Sequence, residues 1–221
     1  MSSTNLITTN STIKNSLYFN RTSTKFSAEY QIIRNDSKIL LASGYDARAL
    51  QAHELRVNWN VTRFINVSGK VSLEDKISQV DYTQNRNFNQ TIVDGKGEIN
   101  YQPSTNKRYG LFLRIADKKN IIGTEALVLN EFGFNGKFNQ TLKGSLLTDL
   151  KFITIRFSGN ANSPVGYDML EALLPGRNIV WNISYQRLLS KNLQLSFSYI
   201  GRKGEASRFI HSGGMELRAF F

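Results

Sequence analysis

Apolar and polar residues alternate with a period of two along most of this chain. The alternation is cleanest in four stretches, at 55–62, 67–73, 178–186 and 193–199. Successive side chains of a β-strand point to opposite faces of a sheet, so each stretch predicts a strand with one apolar and one polar face. Weaker alternation predicts seven more strands at 13–20, 25–33, 92–101, 108–116, 127–138, 146–157 and 208–221. The sequence thus predicts eleven strands in total.

The segments between these strands alternate in length. Long segments at 34–49, 75–90, 117–125 and 158–177 alternate with short ones at 21–24, 63–66, 103–106, 140–143 and 188–192. Long loops at one rim and tight turns at the other are typical of outer-membrane barrels. The sequence therefore predicts an all-β fold, an antiparallel up-and-down transmembrane β-barrel of about 10–12 strands.

The predicted barrel is a single domain over residues 1–221. Residues 1–11 are expected to be flexible or to form a partial strand. The long loop at 158–177 interrupts the alternation. Asp168 is predicted to cap one or two helical turns that end at Pro175-Gly176, and these turns are expected to form a small plug over the rim.

An odd number of strands is a difficulty for a complete barrel, since single-chain bacterial barrels have an even number. Either Asn5–Asn10 forms part of a twelfth strand, or further strands lie upstream. The first residues also lack the basic and apolar regions of a signal peptide. We therefore expect the C-terminal part of a larger barrel.

The two faces of the predicted strands differ in chemistry. Charges of both signs on the polar face are predicted to line a wet lumen. These lumen-facing residues are Arg56, Lys70, Glu98, Arg114, Arg156, Glu216 and Arg218. Aromatic residues on the other face are predicted to anchor the barrel at the lipid–water interface. They are Trp59, Trp181, Tyr185, Phe197 and Tyr199. The alternative is that these aromatic residues form the core of a soluble sandwich.

Composition narrows the possible functions. The net charge is +11, but the Lys and Arg residues are scattered, and no aromatic and basic signature of nucleic-acid binding stands out. In an outer membrane the natural anions are lipid phosphates and glycans. No apolar run approaches the length of about 18 residues that a membrane helix needs. Cysteine is absent, which excludes disulfides and thiolate chemistry.

Catalytic signals are weak. The two histidines, His53 and His211, lie far apart in sequence and have no metal-ligand spacing around them. His211 is followed by Ser212, but neighbouring residues of a strand point to opposite faces and cannot form a dyad. The nucleophile elbow Gly-x-Ser-x-Gly is missing. We therefore predict no enzyme activity, no cofactor and no metal.

The chain closes on Met215-Glu-Leu-Arg-Ala-Phe-Phe221, an alternating strand that ends on an aromatic residue. This strand resembles the closing strand of bacterial outer-membrane barrels. The resemblance implies that Leu217, Ala219 and Phe221 form the signal recognised by the barrel-assembly machinery.

A wider resemblance covers the C-terminal third. The segments 173–181, 189–195, 199–203 and 217–221 are similar to the ends of large, uncharacterised outer-membrane proteins of Bacteroidota, and Leu17–Arg21 and the strand around Trp59 extend this likeness. It implies an outer-membrane location in a Gram-negative bacterium, and no site residues can be transferred from it.

The expected function is structural, anchoring or pore-forming, without catalysis. The expected partners are outer-membrane lipid, the barrel-assembly machinery, and upstream strands or other envelope proteins. The alternative is a soluble, secreted β-sheet module that binds anionic glycans.

Overall fold

The computed structural model describes residues 7–42, 44–140 and 143–220, which form one antiparallel sheet in which each strand pairs with its sequence neighbours. The eleven strands are β1 (Ile7–Phe19), β2 (Phe26–Leu41), β3 (Gly44–Asn60), β4 (Ile65–Val80), β5 (Phe88–Ser104), β6 (Lys107–Asn120), β7 (Ala126–Gln140), β8 (Gly144–Ser158), β9 (Gly176–Ser190), β10 (Leu193–Gly204) and β11 (Ile210–Ala219). The predicted all-β, antiparallel, up-and-down class is confirmed.

Two short helices lie in connections between strands. A single 3₁₀ turn, Gln84–Arg86, lies between β4 and β5, and helix α1, Pro164–Met169, lies between β8 and β9. The Ser163 side chain caps α1, because its hydroxyl accepts a hydrogen bond of 3.0 Å from the backbone N–H of Gly166. The predicted cap at Asp168 is therefore wrong. Among the described residues, no helix is both long enough and apolar enough to cross a membrane.

The strands are longer than the sequence pattern indicated. The long loop predicted at 34–49 is wrong, because β2 and β3 pair throughout this range and leave only residues 42 and 43 between them. The positions that would continue the apolar face of β2 are occupied by polar residues, Arg34, Asp36 and Lys38, so the alternation ends there. Backbone pairing does not need an apolar face, so it continues beyond the alternating segment.

The alternative of a twelfth strand at Asn5–Asn10 is not supported. Residues 7–10 belong to β1, where Ile7 pairs with Leu40 at the start of a continuous register. Residues 1–6 lie outside the described part of the chain. Residues 7–11, which we expected to be flexible or a partial strand, thus form the beginning of a full strand.

The position of helix α1 distinguishes the two faces of the sheet. We call the face against which α1 packs the inner face and the opposite face the outer face. Directly paired residues share a face, so the register assigns every strand position. The buried core lies between α1 and the neighbouring ends of β5–β8, and it consists of Phe88, Ala116, Leu127, Leu129, Ile153, Ile155, Val165, Met169 and Leu170.

The outermost strands, β1 and β11, are the edges of the sheet. Within the described ranges neither pairs with the other, and every residue of both strands is exposed. The strands alternate in direction, so β1 and β11 run the same way. Pairing these two edges directly would therefore be parallel, in contrast to the rest of the sheet.

We name the two rims by their connections. The turn rim carries the connections that follow odd-numbered strands, at 20–25, 61–64, 105–106, 141–143 and 191–192. The loop rim carries those that follow even-numbered strands, at 42–43, 81–87, 121–125, 159–175 and 205–209. Most of the longer connections lie at the loop rim, as the sequence predicted, and the exceptions are the short connection 42–43 at the loop rim and the six-residue connection 20–25 at the turn rim.

Candidate functional site

The outer face carries a broad surface without Lys, Arg, Asp or Glu. On each of the eleven strands, the outer positions lack these four residue types over one continuous range. In strand order the ranges are 7–19, 26–32, 45–59, 65–73, 89–101, 109–115, 126–140, 146–154, 179–185, 193–201 and 211–219. We call this surface the uncharged band. Its apolar side chains are exposed, including Val71 (52%), Leu113 (51%) and Ile115 (51%). A water-exposed apolar surface of this extent marks a contact with lipid or protein.

The inner face of the same strands is charged. Lys70 and Arg56 both bind Glu54, with 2.6 Å between Lys70 Nζ and Glu54 Oε2. In the centre of the sheet, Arg114 Nη2 lies 2.6 Å from Asp94 Oδ2, and Arg114 Nη1 lies 3.6 Å from Glu131 Oε2. The charges therefore neutralise one another across neighbouring strands.

Aromatic side chains border the uncharged band beside the turn rim. Phe26 is directly paired with Trp59, and its ring centroid lies 6.4 Å from that of Phe19. Tyr109 joins this row, with its ring centroid 6.5 Å from that of Tyr101 and 5.3 Å from that of Phe138. Aromatic rows of this kind occur where membrane barrels meet the lipid–water interface.

The register places the predicted aromatic residues together on the outer face. Trp59 belongs to the row at the turn rim, and Tyr185 is directly paired with Phe197. Trp181 and Tyr199 lie nearer the loop rim, where both contact the ring of His211, at centroid distances of 6.0 Å in each case. Leu217 and Ala219 also occupy outer positions of β11. Phe221 lies outside the described residues.

Six of the seven predicted lumen residues share the inner face. They are Arg56, Lys70, Glu98, Arg114, Glu216 and Arg218. Arg156 does not join them. It pairs with Val128 on the outer face, between the fully buried Leu127 and Leu129 of the inner face. The assignment of Arg156 to the lumen side is therefore wrong. On the same strand, Lys151 does lie on the inner face, where its Nζ is 3.5 Å from Glu131 Oε1.

The 159–175 loop is inserted against the inner face and bound there by ion pairs. Arg114 donates two hydrogen bonds to the Glu171 carboxylate, of 2.8 and 3.0 Å. Lys118 Nζ donates to Glu171 Oε1 at 2.8 Å and to the Met169 carbonyl at 2.9 Å. Asp168 accepts hydrogen bonds from Lys76 Nζ at 2.6 Å and from Gln90 Nε2 at 3.1 Å.

These loop contacts were missed at the sequence level. They join residues 51 to 92 positions apart, as for Lys118 with Met169 and Lys76 with Asp168. No local spacing signals them. Glu171 and Ala172 both have left-handed backbone conformations, with φ of 53° and 60°. Such residues are strained, and here the double hydrogen bond from Arg114 fixes the first of them.

The charge of Glu171 is strongly stabilised in this setting. Burial alone raises the pKa of a carboxyl group, but hydrogen bonds and charges from Arg114 and Lys118 outweigh burial and lower the pKa of Glu171 to about 2. The carboxylate therefore holds the loop through a charge that persists well below neutral pH.

We expect acid to loosen the 159–175 loop. A lowered pKa in the docked state stabilises docking above the ordinary pKa of about 4.5, and this contribution is lost as the pH falls towards about 2. The chain has no cysteine, so a spin label on Tyr167→Cys, at an exposed loop position, reports loop mobility alone. Mobility should rise between these pH values. In Glu171→Gln the label should already be mobile at neutral pH, and unchanged mobility in the parent down to pH 2 would contradict the role of Glu171.

Both histidines lie on the outer face and bind a tyrosine hydroxyl. Tyr30 Oη lies 2.8 Å from His53 Nδ1, and Tyr199 Oη lies 2.8 Å from His211 Nδ1. Neither has a carboxylate partner, and no group of three or more His, Cys, Asp or Glu side chains within the described ranges is arranged to hold a metal ion.

Comparison with known proteins bears on the fold. No protein-family model and no curated protein matches the chain. Among solved structures, the outer-membrane protein OmpT of Vibrio cholerae superposes with a TM-score of 0.51 at 6% identity, over 100% of each chain. The chain has the fold of an outer-membrane β-barrel. At this identity the likeness shows the fold alone.

Two further structures are similar at lower scores. The CymD monoaromatic hydrocarbon channel has a TM-score of 0.49 and 10% identity, over 95% of this chain and 77% of that one. The translocator domain of the autotransporter NalP from Neisseria meningitidis has a TM-score of 0.42 and 13% identity, over 98% and 82%.

Proposed function

We propose that this chain forms the wall of a β-barrel in the outer membrane of a Gram-negative bacterium, with an anchoring or conducting role and no catalysis. The observation that carries the proposal is the uncharged band, which lies on one face of all eleven strands. The opposite face carries the paired charges of Glu54, Arg114 and Glu131. This division is the one that lipid outside and water inside require.

The height of the uncharged band agrees with a membrane. On β4 it runs from Ile65 to Val71 and Leu73, eight residue steps that extend about 26 Å along the strand at about 3.3 Å per residue. At the strand tilt of about 35–45° usual in barrels this segment covers about 20 Å of height, compared with the apolar band of about 25 Å in known barrels. The aromatic row then lies at the interface on the turn-rim side.

The unpaired edges favour a larger assembly. Unpaired backbone groups in lipid cost several kcal/mol each, so both edges need partners in the membrane. Because β1 and β11 run in the same direction, antiparallel closure requires an odd number of additional strands. We propose that these come from upstream of the chain or from another envelope protein, as expected for the C-terminal part of a large Bacteroidota barrel. The barrel-assembly machinery would recognise β11 through Leu217 and Ala219.

The inserted loop bears on the choice between anchoring and conduction. It packs Val165, Met169 and Leu170 against the inner face beside the loop rim, so it occupies space through which a solute would have to pass. A conducting barrel would then open by loop movement, whereas an anchor would keep the loop docked. The soluble glycan-binding module is disfavoured because it would leave the uncharged band in water.

Thiol labelling along β10 tests the proposal. Single-cysteine variants at positions 194–200 are refolded into lipid vesicles and treated with a water-soluble maleimide. Inner positions such as Gln194, Ser196 and Ser198 should react, whereas the outer positions Leu195, Phe197 and Tyr199 should be protected. Equal reactivity at both sets would contradict the membrane assignment, and reaction of both sets in detergent-free denaturant provides the reference.

A further inference from the structure

Positive charge is concentrated at the turn rim. Its five connections, each counted with two strand residues on either side, hold seven basic residues and no Asp or Glu. These are Arg21, Lys25, Arg63, Lys107, Arg108, Lys143 and Lys191. The loop rim, counted in the same way, holds five basic and five acidic residues. Most of the net charge of +11 therefore comes from one rim of the sheet.

Six of the seven basic side chains of the turn rim are available for binding, whereas Arg108 lies on the inner face and donates a hydrogen bond of 2.9 Å to Asn100 Oδ1. All seven residues are exposed. Among the described residues, none of them lies within 4.0 Å of a carboxylate oxygen, unlike most charges of the inner face. Arg21 stacks on Tyr18 with 4.7 Å to the ring centroid, and Arg63 stacks on Phe64 at 4.4 Å. Stacking of this kind leaves the guanidinium edge free to donate hydrogen bonds.

These bases lie just beyond the aromatic row. Lys25 precedes Phe26, and its carbonyl accepts a hydrogen bond of 2.7 Å from the Asn60 N–H, next to Trp59. Lys107 and Arg108 likewise precede Tyr109, which belongs to the same row. In a membrane, aromatic side chains lie at the level of the headgroups, so the bases lie at the level of the phosphates.

We propose that the turn rim binds the phosphate groups of anionic phospholipids in the adjoining leaflet. This inference rests on the proposed membrane location. Counted with its flanking strand residues, every connection at this rim carries at least one base, so the charge follows the edge of the sheet from β1 to β10. A line of charge along the rim matches the plane of a lipid headgroup layer. A soluble polyanion would instead be matched by a compact patch on one region of the surface.

The expected strength of the contact between one Lys or Arg and anionic lipid follows from general values. A Lys or Arg near an anionic membrane surface contributes a free energy that corresponds to about fivefold local enrichment of anionic lipid. The two tryptophans supply reporters at the two ends of the uncharged band. Trp59 lies beside Lys25 and Arg63 at the turn rim, and Trp181 lies nearer the loop rim.

The experiment measures fluorescence quenching by brominated lipids. Trp181→Phe retains Trp59, and Trp59→Phe retains Trp181. Each variant is refolded into equimolar phosphatidylglycerol and phosphatidylcholine, with bromine on the acyl chains of one lipid at a time. Brominated phosphatidylglycerol should quench Trp59 more than brominated phosphatidylcholine does, by an amount that corresponds to about fivefold enrichment. Trp181 should be quenched equally by both lipids.

Substitution of basic residues tests whether the turn rim causes the preference for anionic lipid at Trp59. Lys25→Gln with Arg63→Gln should abolish the preference at Trp59, whereas Lys119→Gln with Arg208→Gln at the loop rim should preserve it. Equal quenching of Trp59 by both lipids would overturn the phosphate-binding inference and leave the membrane location intact. A preference that survives the first pair of substitutions would also overturn it. Quenching of neither tryptophan by either lipid would instead overturn the proposed function.

Discussion

Replacing Phe197 with arginine is expected to lower the free energy of unfolding by about 2–4 kcal/mol and to reduce insertion into vesicles sharply. Phe197 lies in the middle of the uncharged stretch of β10, on the outer face, with 40% of its surface exposed in the absence of lipid. An arginine there would have to carry its charge into the hydrocarbon. Urea unfolding in detergent or thin bilayers measures the stability, and flotation with vesicles measures insertion.

The neighbouring residue supplies a matched control. Ser198 is exposed on the inner face and pairs with Ser184 and Gly214, so Ser198→Arg places the same side chain in a polar setting. It should change the stability by less than about 0.5 kcal/mol, as is usual for exposed positions. Similar losses for both variants would mean that the outer face does not lie in lipid.

Replacing Arg114 with leucine is expected to lower the free energy of unfolding by about 2–3 kcal/mol, because it removes the shared partner of three carboxylates in a partly buried ion network. The Arg114 side chain is 22% exposed, and it contacts Asp94, Glu131 and Glu171. Its loss leaves three carboxylates facing one another with only lysines to balance them. The variant should also release the 159–175 loop, which a spin label on Tyr167→Cys would detect as increased mobility.

The same chemical change at Arg156 provides the control. Arg156 lies on the outer face near the loop rim and has no carboxylate within 4.0 Å among the described residues. Arg156→Leu should therefore be close to neutral and should leave the loop docked. If Arg156→Leu proved as destabilising as Arg114→Leu, the division of these two residues between opposite faces would be wrong.

The period-two pattern predicted the fold because each strand pairs with its neighbour in sequence. Strand β10 illustrates this, since Leu195, Phe197 and Tyr199 all lie on the face that their alternation indicates. The alternation also placed Arg56 and Lys70 together, on directly paired positions of β3 and β4. For such strands, only one face is apolar, and the sequence identifies it without ambiguity.

Strand β8 shows why alternation alone was insufficient. Its outer face carries Leu150 and Phe152 and its inner face carries Ile153 and Ile155, because α1 covers the inner face there. Both parities are therefore apolar, and the sequence does not distinguish a core-facing position from a lipid-facing one. The 159–175 loop, which contains α1, causes this ambiguity. It is held by side chains distant in sequence, and no local pattern of the sequence identifies such contacts.

The central claim is that the uncharged band lies in lipid, and solubility tests it most directly. The purified chain is refolded in plain buffer and in detergent micelles, and each sample is analysed by size-exclusion chromatography and far-UV circular dichroism. We predict aggregation in buffer and a β-type spectrum with a defined size only in detergent. A monodisperse β-protein in plain buffer would contradict the membrane assignment.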